Sequence, residues 1–308
     1  MKLSFVIPCY RSEKTIEAVV AEIKLVVSSR PTVDWEIVMV SDHSPDNVYG
    51  VIEQMCKADP VHLKGVELSR NFGQHAALMA GYSRVSGDYV LSLDDDGQAP
   101  ADAIYSMLDT LVAGGYDVVY GTYPHKRHNF FRNVASRIND MMAVWLLGKP
   151  YSLRVTSFFM ARRFIVNEML NYRGPYPYLY GLVFRATKNI GEVVVNHRVR
   201  QDGDSGYTFA KLFGLWMNGF TAFSVKPLRF SSYAGICCAF LGFIYGVWTV
   251  VNKLLVNPDA PAGYSSLMAV LLFVGGMLML ILGLIGEYVG RIYICMNCSP
   301  QYVVAREV

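Results

Sequence analysis

Two long runs without a charged side chain constrain the fold of this chain most strongly. No Asp, Glu, Lys or Arg occurs at residues 230–252, and none occurs at residues 260–286. Each run exceeds the roughly 20 residues that a helix needs to cross the hydrocarbon core of a bilayer. We therefore predict two transmembrane helices, near residues 230–251 and 267–288, in preference to two buried helices of a soluble core.

The rest of the chain has an ordinary charge content. Residues 1–229 hold 25 of the 28 basic and 22 of the 25 acidic side chains. Such a balance is typical of a globular domain, and the chain as a whole is too hydrophobic, at 53%, to be disordered. Its pI of about 8.4, with nearly equal numbers of acids and bases, argues against a nucleic-acid-binding protein.

We accordingly divide the chain into three parts. Residues 1–206 form a globular domain, residues 207–229 a juxtamembrane amphipathic helix region, and residues 230–308 a two-span anchor with a short tail. The segment 207–225 is strongly apolar and contains one charged residue, so we expect a helix lying in the headgroup region. A buried core helix is the alternative interpretation of that segment.

The flanking charges predict the orientation of the two spans. Lys226 and Arg229 precede the first span and Arg291 follows the second, whereas the connecting loop offers only Lys253 against Asp259. Because basic residues concentrate on the cytoplasmic side of membrane proteins, we predict that both termini are cytoplasmic.

Strand-like and helix-like segments alternate along the first 122 residues. This alternation predicts an α/β fold with a mostly parallel sheet covered by helices on both faces. Ligands of such sheets bind beyond the carboxyl ends of the strands. The predicted strands lie near residues 3–7, 36–40, 62–68, 89–93 and 117–120, and the predicted helices near 13–27, 47–56, 76–85 and 101–113.

Three consecutive carboxylates, Asp94, Asp95 and Asp96, directly follow the predicted strand at residues 89–93. Such carboxylates repel one another, and a bound divalent cation would relieve that repulsion. Side chains two positions apart on an extended chain point the same way, so Asp94 and Asp96 are the candidate ligands. Hard oxygen ligands suit Mg²⁺ or Mn²⁺. A solvated acidic turn is the alternative.

Polar residues also follow the second and third predicted strands. Asp42 could accept hydrogen bonds from a nucleobase or ribose, or it could equally cap the following helix. Arg70 is a candidate partner for a phosphate, and Gly73 permits a tight turn into the next helix. For His75 we favour packing at the start of that helix.

These segments together resemble the inverting family 2 glycosyltransferases, which have a nucleotide-sugar-binding GT-A fold. Within that family the chain is most similar to the bacterial polyprenyl-phosphate glycosyltransferases, relatives of dolichyl-phosphate mannose synthase. The matching runs are FVIPCYRSEKTI, EIVMVSDHSPDN, LSRNFGQHAALMAG, LSLDDDGQAP and GLIGEYVGRIY with SPQYVV. The resemblance covers essentially the whole chain.

The resemblance assigns the donor site and the metal site to particular residues. Asp94 and Asp96 stand where the family has its Asp-x-Asp motif, so it implies that they hold Mg²⁺ or Mn²⁺, with Asp96 the expected direct ligand. With Ser157 they form the implied catalytic set. The residues implied to bind the nucleotide sugar are Pro8, Tyr10, Asp42, Arg70, Asp94, Asp95 and Gln98.

The chain departs from the family pattern on the acceptor side. Relatives have Asp and Arg in a Gly-Asp-Phe-Arg-like stretch where this chain has Ser157 and Phe159. The candidates for binding the acceptor phosphate are Arg132, Arg137, Arg163, Arg198 and Arg200. We favour Arg200, because its flanking motif matches that of the family, and then Arg163; Ser205 lies in the same motif as Arg200.

The activity implied is transfer of a sugar from a nucleotide sugar, expected to be UDP-linked, to a polyprenyl phosphate such as undecaprenyl phosphate. The phosphate oxygen of the acceptor is largely ionised at neutral pH, since its second pKa is about 6, and it needs little help from a general base. The resemblance further implies a β-linked lipid product in the bacterial inner membrane, a separate flippase and a possible homo-oligomer. A processive polysaccharide synthase and a catalytically silent membrane scaffold are the alternatives.

Overall fold

The computed structural model describes residues 1–123, 150, 153–195, 226–251, 263–297 and 299–308. The chain divides into two compact units, one formed by Met1–Leu212 with Cys298–Val308 and the other by Phe213–Asn297. The helix predicted at 207–225 lies outside the described residues.

The first unit contains an eight-stranded sheet. Its strands are β1 (Lys2–Cys9), β2 (Asp34–Ser41), β3 (Leu63–Leu68), β4 (Tyr89–Ser92), β5 (Val118–Thr122), β6 (Phe159–Arg162), β7 (Ile190–Val194) and β8 (Val304–Glu307). Their order in the sheet is β7-β5-β6-β4-β1-β2-β3-β8. Among the described strands, β1 to β5 and β7 run in one direction, and β6 and β8 run antiparallel to their neighbours. The predicted α/β fold with a mostly parallel sheet is therefore confirmed.

Helices cover both faces of this sheet. The described helices of this unit are α1 (Ile16–Val27), α2 (Val48–Ala58), α3 (Gln74–Tyr82), α4 (Ile104–Ala113), α5 (Arg163–Leu170) and α6 (Leu179–Ala186). Helices α1, α2 and α4 share a buried core with Phe5 of β1 and Ile37 of β2. Helix α3 packs on the opposite face, where a side chain at Gly81 would meet Val6 and Val40.

The last residues of the chain form the edge strand β8, which the sequence analysis treated only as a short tail. Gly65 of β3 exchanges two backbone hydrogen bonds with Val308, with N···O distances of 2.7 and 2.9 Å. Arg306 adds an ion pair with Glu67 at 2.6 Å. The tail therefore pairs with the outer edge of β3, which would otherwise expose unpaired backbone groups.

A buried carboxylate, Glu36, lies near the amino end of β2 and is 1% exposed. It accepts hydrogen bonds from the Ser4 hydroxyl at 2.7 Å, from Lys64 Nζ at 2.9 Å and from the Ser86 backbone and hydroxyl. Burial alone would raise its pKa, but these hydrogen bonds outweigh burial and lower the pKa of Glu36 to about 2. The Glu36 carboxylate is therefore ionised, and it connects β2 to the segments that contain Ser4, Lys64 and Ser86.

The second unit contains the helices α7 (Lys226–Val251) and α8 (Tyr264–Met296). Among the described helices, one stretch, Phe273–Met296, is long and apolar enough to cross a membrane, and Gly235–Trp248 is a shorter apolar stretch. Large apolar side chains such as Phe243 and Met279 are exposed on these helices.

Candidate active site

The loops after four adjacent parallel strands each contain one residue with a positive φ angle. These residues are Arg11 (58°) after β1, His43 (50°) after β2, Gly73 (92°) after β3 and Gly97 (72°) after β4. A left-handed conformation costs a non-glycine residue roughly 1–2 kcal/mol, and such backbone strain concentrates at functional sites. Tight turns therefore form the carboxyl edge of the sheet, where the sequence predicts the ligand-binding site.

Asp94 is held from two sides by uncharged donors. The Gln74 side chain at the start of α3 donates from Nε2 to Oδ1 of Asp94 at 2.7 Å. The Ser157 hydroxyl, two residues before β6, donates to Oδ2 at 2.5 Å. The structure thus brings the predicted residues Asp94 and Ser157 into direct contact.

Asp95 faces the loop after β1 and not the Gln74 side of the site. Its Oδ2 accepts a hydrogen bond from the Tyr10 backbone N–H at 2.9 Å, and its carbonyl accepts one from the Thr15 hydroxyl at 2.7 Å. Burial, with a further contribution from the charges of Asp94 and Asp96, raises the pKa of Asp95 to about 6. Asp95 therefore holds the loop containing Tyr10 against the acidic triplet.

Asp96 lies in the turn that follows β4, where Gly97 has its positive φ angle. Its Oδ1 accepts a hydrogen bond from the Gln98 backbone N–H at 3.1 Å. The turn places Gln98, one of the predicted donor-site residues, half-buried beside the carboxylates.

The donor atoms of this site fit a hard divalent cation. Among the described residues, no three His, Cys, Asp or Glu side chains come together as a preformed metal cage. Mg²⁺ commonly binds through one or two carboxylates and completes its shell with waters and substrate phosphates. Asp94 and Asp96 supply carboxylate oxygens of that kind. A cation bound to them would need the phosphates of a ligand, together with waters, to complete its coordination.

Asp42 anchors the loop that leads into α3. Its two carboxylate oxygens accept hydrogen bonds from the backbone N–H groups of Phe72 at 2.7 Å and Gly73 at 2.8 Å. Burial raises the pKa of Asp42, while these two hydrogen bonds oppose the rise. The same loop places the Arg70 guanidinium 4.6 Å from the centre of the Phe72 ring. The carboxylate therefore binds the two residues that precede α3. These hydrogen bonds do not cap α2, the helix that directly follows Asp42 in the chain.

We expect Asp42→Asn to destabilise this loop, because an amide offers one acceptor oxygen where two N–H groups need partners. One half-buried N–H would then lack an acceptor, at a cost of about 1 kcal/mol, the lower end of the range for a buried group. Thermal unfolding should show the lower stability, and binding of nucleoside diphosphates should weaken in parallel. Unchanged stability would show that the two hydrogen bonds contribute little.

Arg163 lies at the opposite end of the sheet from the acidic triplet. Strand β6 runs antiparallel to β4, so that Phe159 pairs with Ser92 near the site and Arg163 follows the far end of β6. The Arg163 guanidinium donates to the Val85 carbonyl and, at 3.0 Å, to Asn167. The structure therefore does not bring Arg163 to the acceptor side of the site, and the expectation that it binds the acceptor phosphate has no structural support.

The remaining predicted residues fall into two groups. Pro8 is buried within β1, and Tyr10 is 44% exposed beside the acidic triplet. Arg200 and Ser205 lie outside the described residues, so their role in binding the acceptor phosphate stays a prediction.

Two residues of this site, Gln74 and Tyr123, were not predicted from the sequence. Gln74 contacts Asp94 directly. Tyr123 follows β5, and burial, with a smaller contribution from the charges of Asp94 and Asp96, raises the pKa of its phenol to about 12. Gln74 directly follows Gly73 in the polar segment after the third predicted strand, and that position is the signal that could have identified it. Tyr123 follows the predicted strand at residues 117–120, after which the sequence marks no polar segment. The neighbouring His75 packs edge-on against Tyr178 and Tyr180, and burial lowers its pKa to about 4.

Comparison with known proteins identifies two matching sequence families. Residues 4–170 match "Glycosyl transferase family 2", and residues 226–292 match "GtrB C-terminal hairpin". Similar curated proteins are the undecaprenyl-phosphate 4-deoxy-4-formamido-L-arabinose transferases of Yersinia enterocolitica, 34% identical, and Yersinia pestis, 33% identical. Each alignment covers 100% of this chain and 94% of the relative.

Solved structures show the same fold at low sequence identity. Glucosyl-3-phosphoglycerate synthase from Mycobacterium tuberculosis, in complex with Mn²⁺, UDP and glucosyl-3-phosphoglycerate, has a TM-score of 0.51 and 18% identity. That alignment covers 71% of this chain and 77% of the synthase. The complex of the same enzyme with Mn²⁺, UDP-glucose and phosphoglyceric acid has a TM-score of 0.52 and 17% identity.

Proposed function

The chain belongs to glycosyl transferase family 2, and from that premise we propose that this glycosyltransferase moves a sugar from a nucleotide sugar to undecaprenyl phosphate. The observation that carries the proposal is the acidic triplet at the carboxyl end of β4, in a chain similar over its full length to undecaprenyl-phosphate sugar transferases. The triplet suits a nucleoside diphosphate bound together with a divalent cation.

In this proposal the donor lies along the carboxyl edge of the sheet. Asp94 and Asp96 would hold Mg²⁺ or Mn²⁺, and Asp42 would keep the loop containing Arg70 in place beside the nucleotide. When bound, the cation neutralises the charge that develops on the departing nucleoside diphosphate. UDP is the expected nucleotide, and solved structures of the same fold bind UDP with Mn²⁺ or Mg²⁺.

The acceptor side of the site needs to position a phosphate more than to deprotonate it. A phosphate monoester is largely ionised at neutral pH and is already a nucleophile, since its second pKa is about 6. Ser157 in place of the family carboxylate is compatible with that chemistry, because it leaves one negative charge fewer beside a doubly charged acceptor. Attack on the anomeric carbon would invert an α-linked donor to a β-linked lipid phosphate sugar.

We further propose that α7 and α8 cross the bacterial inner membrane as a pair, with both termini in the cytoplasm. The pairing of β8 within the sheet that contains β1 supports this proposal, because a domain folded on one side of a bilayer needs an even number of crossings between β7 and β8. A crossing by α8 alone would put these two strands on opposite sides. In α7, residues 230–251 contain no charged side chain, and a crossing takes about 20 residues.

The experiment that tests the function uses the full chain in lipid nanodiscs with undecaprenyl phosphate, Mn²⁺ or Mg²⁺ and a panel of nucleotide sugars. We expect nucleoside diphosphate to be released only when both the lipid phosphate and the cation are present. Mass spectrometry should then show a lipid carrying a single sugar.

Two other outcomes would favour the alternatives. Products with many sugars per chain, formed without the lipid phosphate, would indicate a processive synthase. No release from any donor, under conditions in which a related transferase is active, would indicate a silent scaffold. A flippase for the product and a homo-oligomeric assembly stay predictions.

A further inference from the structure

From the contacts of Asp94 we infer that Gln74 is a positioning residue of the donor site, which acts with Ser157 as a two-point clamp on that carboxylate. The inference rests on the proposed function, because it concerns how the same site binds a nucleoside diphosphate with a cation. It assigns a role to a side chain at the start of α3, outside the acidic motif itself.

The geometry of the clamp is specific to the two oxygens of Asp94. Gln74 Nε2 lies 2.7 Å from Oδ1, and Ser157 Oγ lies 2.5 Å from Oδ2. The two donors come from different elements, the first turn of α3 and the segment before β6. Rotation of the Asp94 side chain about its Cβ–Cγ bond would break both hydrogen bonds, so the pair fixes the plane of the carboxylate.

The chemistry of the donors matters as much as their positions. An amide N–H and a hydroxyl satisfy a carboxylate without adding a positive charge. Neither of these two donors offsets the negative charge of Asp94, whereas an Arg or Lys in either place would do so. Hydrogen-bonded partners of metal-binding side chains typically affect metal affinity or activity by about 10–100-fold.

The backbone around Gln74 is itself held in place. Gly73, at the start of α3, has a φ of 92° and donates its N–H to Asp42. The amide of Gln74 is thus presented from a turn that Asp42 anchors, and the loops after β2, β3 and β4 become connected through side chains. This connection explains why a glutamine at this point of the chain can reach a carboxylate 20 residues further on.

The test measures binding of UDP to the full chain in nanodiscs by calorimetry, with and without Mn²⁺, so that turnover is not required. We expect Gln74→Ala to weaken Mn²⁺-dependent UDP binding by about 10–100-fold and Mn²⁺-independent binding by a clearly smaller factor. The matched control is Gln54→Ala, which removes an exposed glutamine from α2. Wild-type affinity of Gln74→Ala would overturn the inference.

Substitutions at Ser157 test the second point of the clamp. Ser157→Thr keeps a hydroxyl donor and should retain most of the Mn²⁺-dependent affinity, whereas Ser157→Ala should lose it. Ser157→Asp introduces the residue usual in the family but sets a second carboxylate against Asp94, so we expect it to bind UDP and Mn²⁺ no better than Ser157→Ala. Full affinity of both Ser157→Ala and Ser157→Asp would contradict the clamp.

A double-mutant cycle separates positioning of Asp94 from general loss of structure. If Gln74 acts through Asp94, then Gln74→Ala should change UDP affinity by less than about twofold in an Asp94→Ala background. An equal loss in both backgrounds would assign Gln74 a separate role and overturn the inference. A wild-type chain that binds no nucleoside diphosphate from a panel of UDP, GDP, CDP and dTDP would instead contradict the proposed function.

Discussion

Asp96→Ala is expected to lower kcat/KM for sugar transfer by at least about 10³-fold, because it removes the carboxylate assigned to the cation that stabilises the leaving diphosphate. The protein should stay folded. Asp96 is half-buried in a turn, and its Oδ1 accepts a hydrogen bond from the backbone N–H of Gln98 in that same turn. The measurement is nucleoside diphosphate release at saturating lipid phosphate, with Mn²⁺ varied over several orders of magnitude.

The matched control for this substitution is Asp34→Ala, at the amino end of β2, where the side chain is 64% exposed. It removes the same charge from the far end of the sheet and should keep wild-type turnover. Equal activity of Asp96→Ala and the wild type across the Mn²⁺ series would remove Asp96 from the metal site. A large loss with Asp34→Ala would instead point to a general effect of net charge.

The second large effect is expected for stability. Glu36→Gln should lower the free energy of unfolding by about 3 kcal/mol, because an amide nitrogen would then face the Lys64 ammonium in a buried site. A change of that size lowers Tm by roughly 6–12 °C in a domain of this size. Activity of the folded protein should be unchanged, since Glu36 lies at the amino end of β2, away from the acidic triplet.

The pH dependence follows from the direction of the pKa shift. The pKa of Glu36 is lowered from 4.5 to about 2 in the folded protein. A depressed pKa contributes stability that is fully present above pH 4.5 and is lost as the pH falls toward 2. The difference in Tm between the wild type and Glu36→Gln should therefore be largest near neutral pH and should shrink below pH 4.5. A difference that is constant from pH 7 to pH 3 would refute the anionic network.

Much of the fold was predictable because its signals are local. Each predicted strand and helix of residues 1–122 has its own apolar pattern, and the structure places an element at each of these positions. The acidic triplet was equally visible, since three carboxylates stand together after an apolar run. These features depend on neighbours in sequence and not on the rest of the chain.

The features that were not predicted depend on contacts between residues far apart in the sequence. The direction of β6 decides whether Arg163 lies near the site, and nothing in that short run reveals that it pairs antiparallel with β4. Strand β8 consists of four residues, mostly exposed, and forms only because the edge of β3 offers it backbone partners. Likewise, Gln74 reaches Asp94 only after α3 and β4 are placed side by side.

The antiparallel strand at the chain end makes the hairpin of α7 and α8 an insertion within one domain rather than an appendage to it. A soluble version cut before α7 would lack β8 and would expose the backbone edge of β3, which favours aggregation. Supplying residues 299–308 as a separate peptide, or joining them by a flexible linker in place of the hairpin, should restore a closed edge. The boundary of the catalytic domain is therefore set by sheet pairing, and no single cut in the sequence can isolate it.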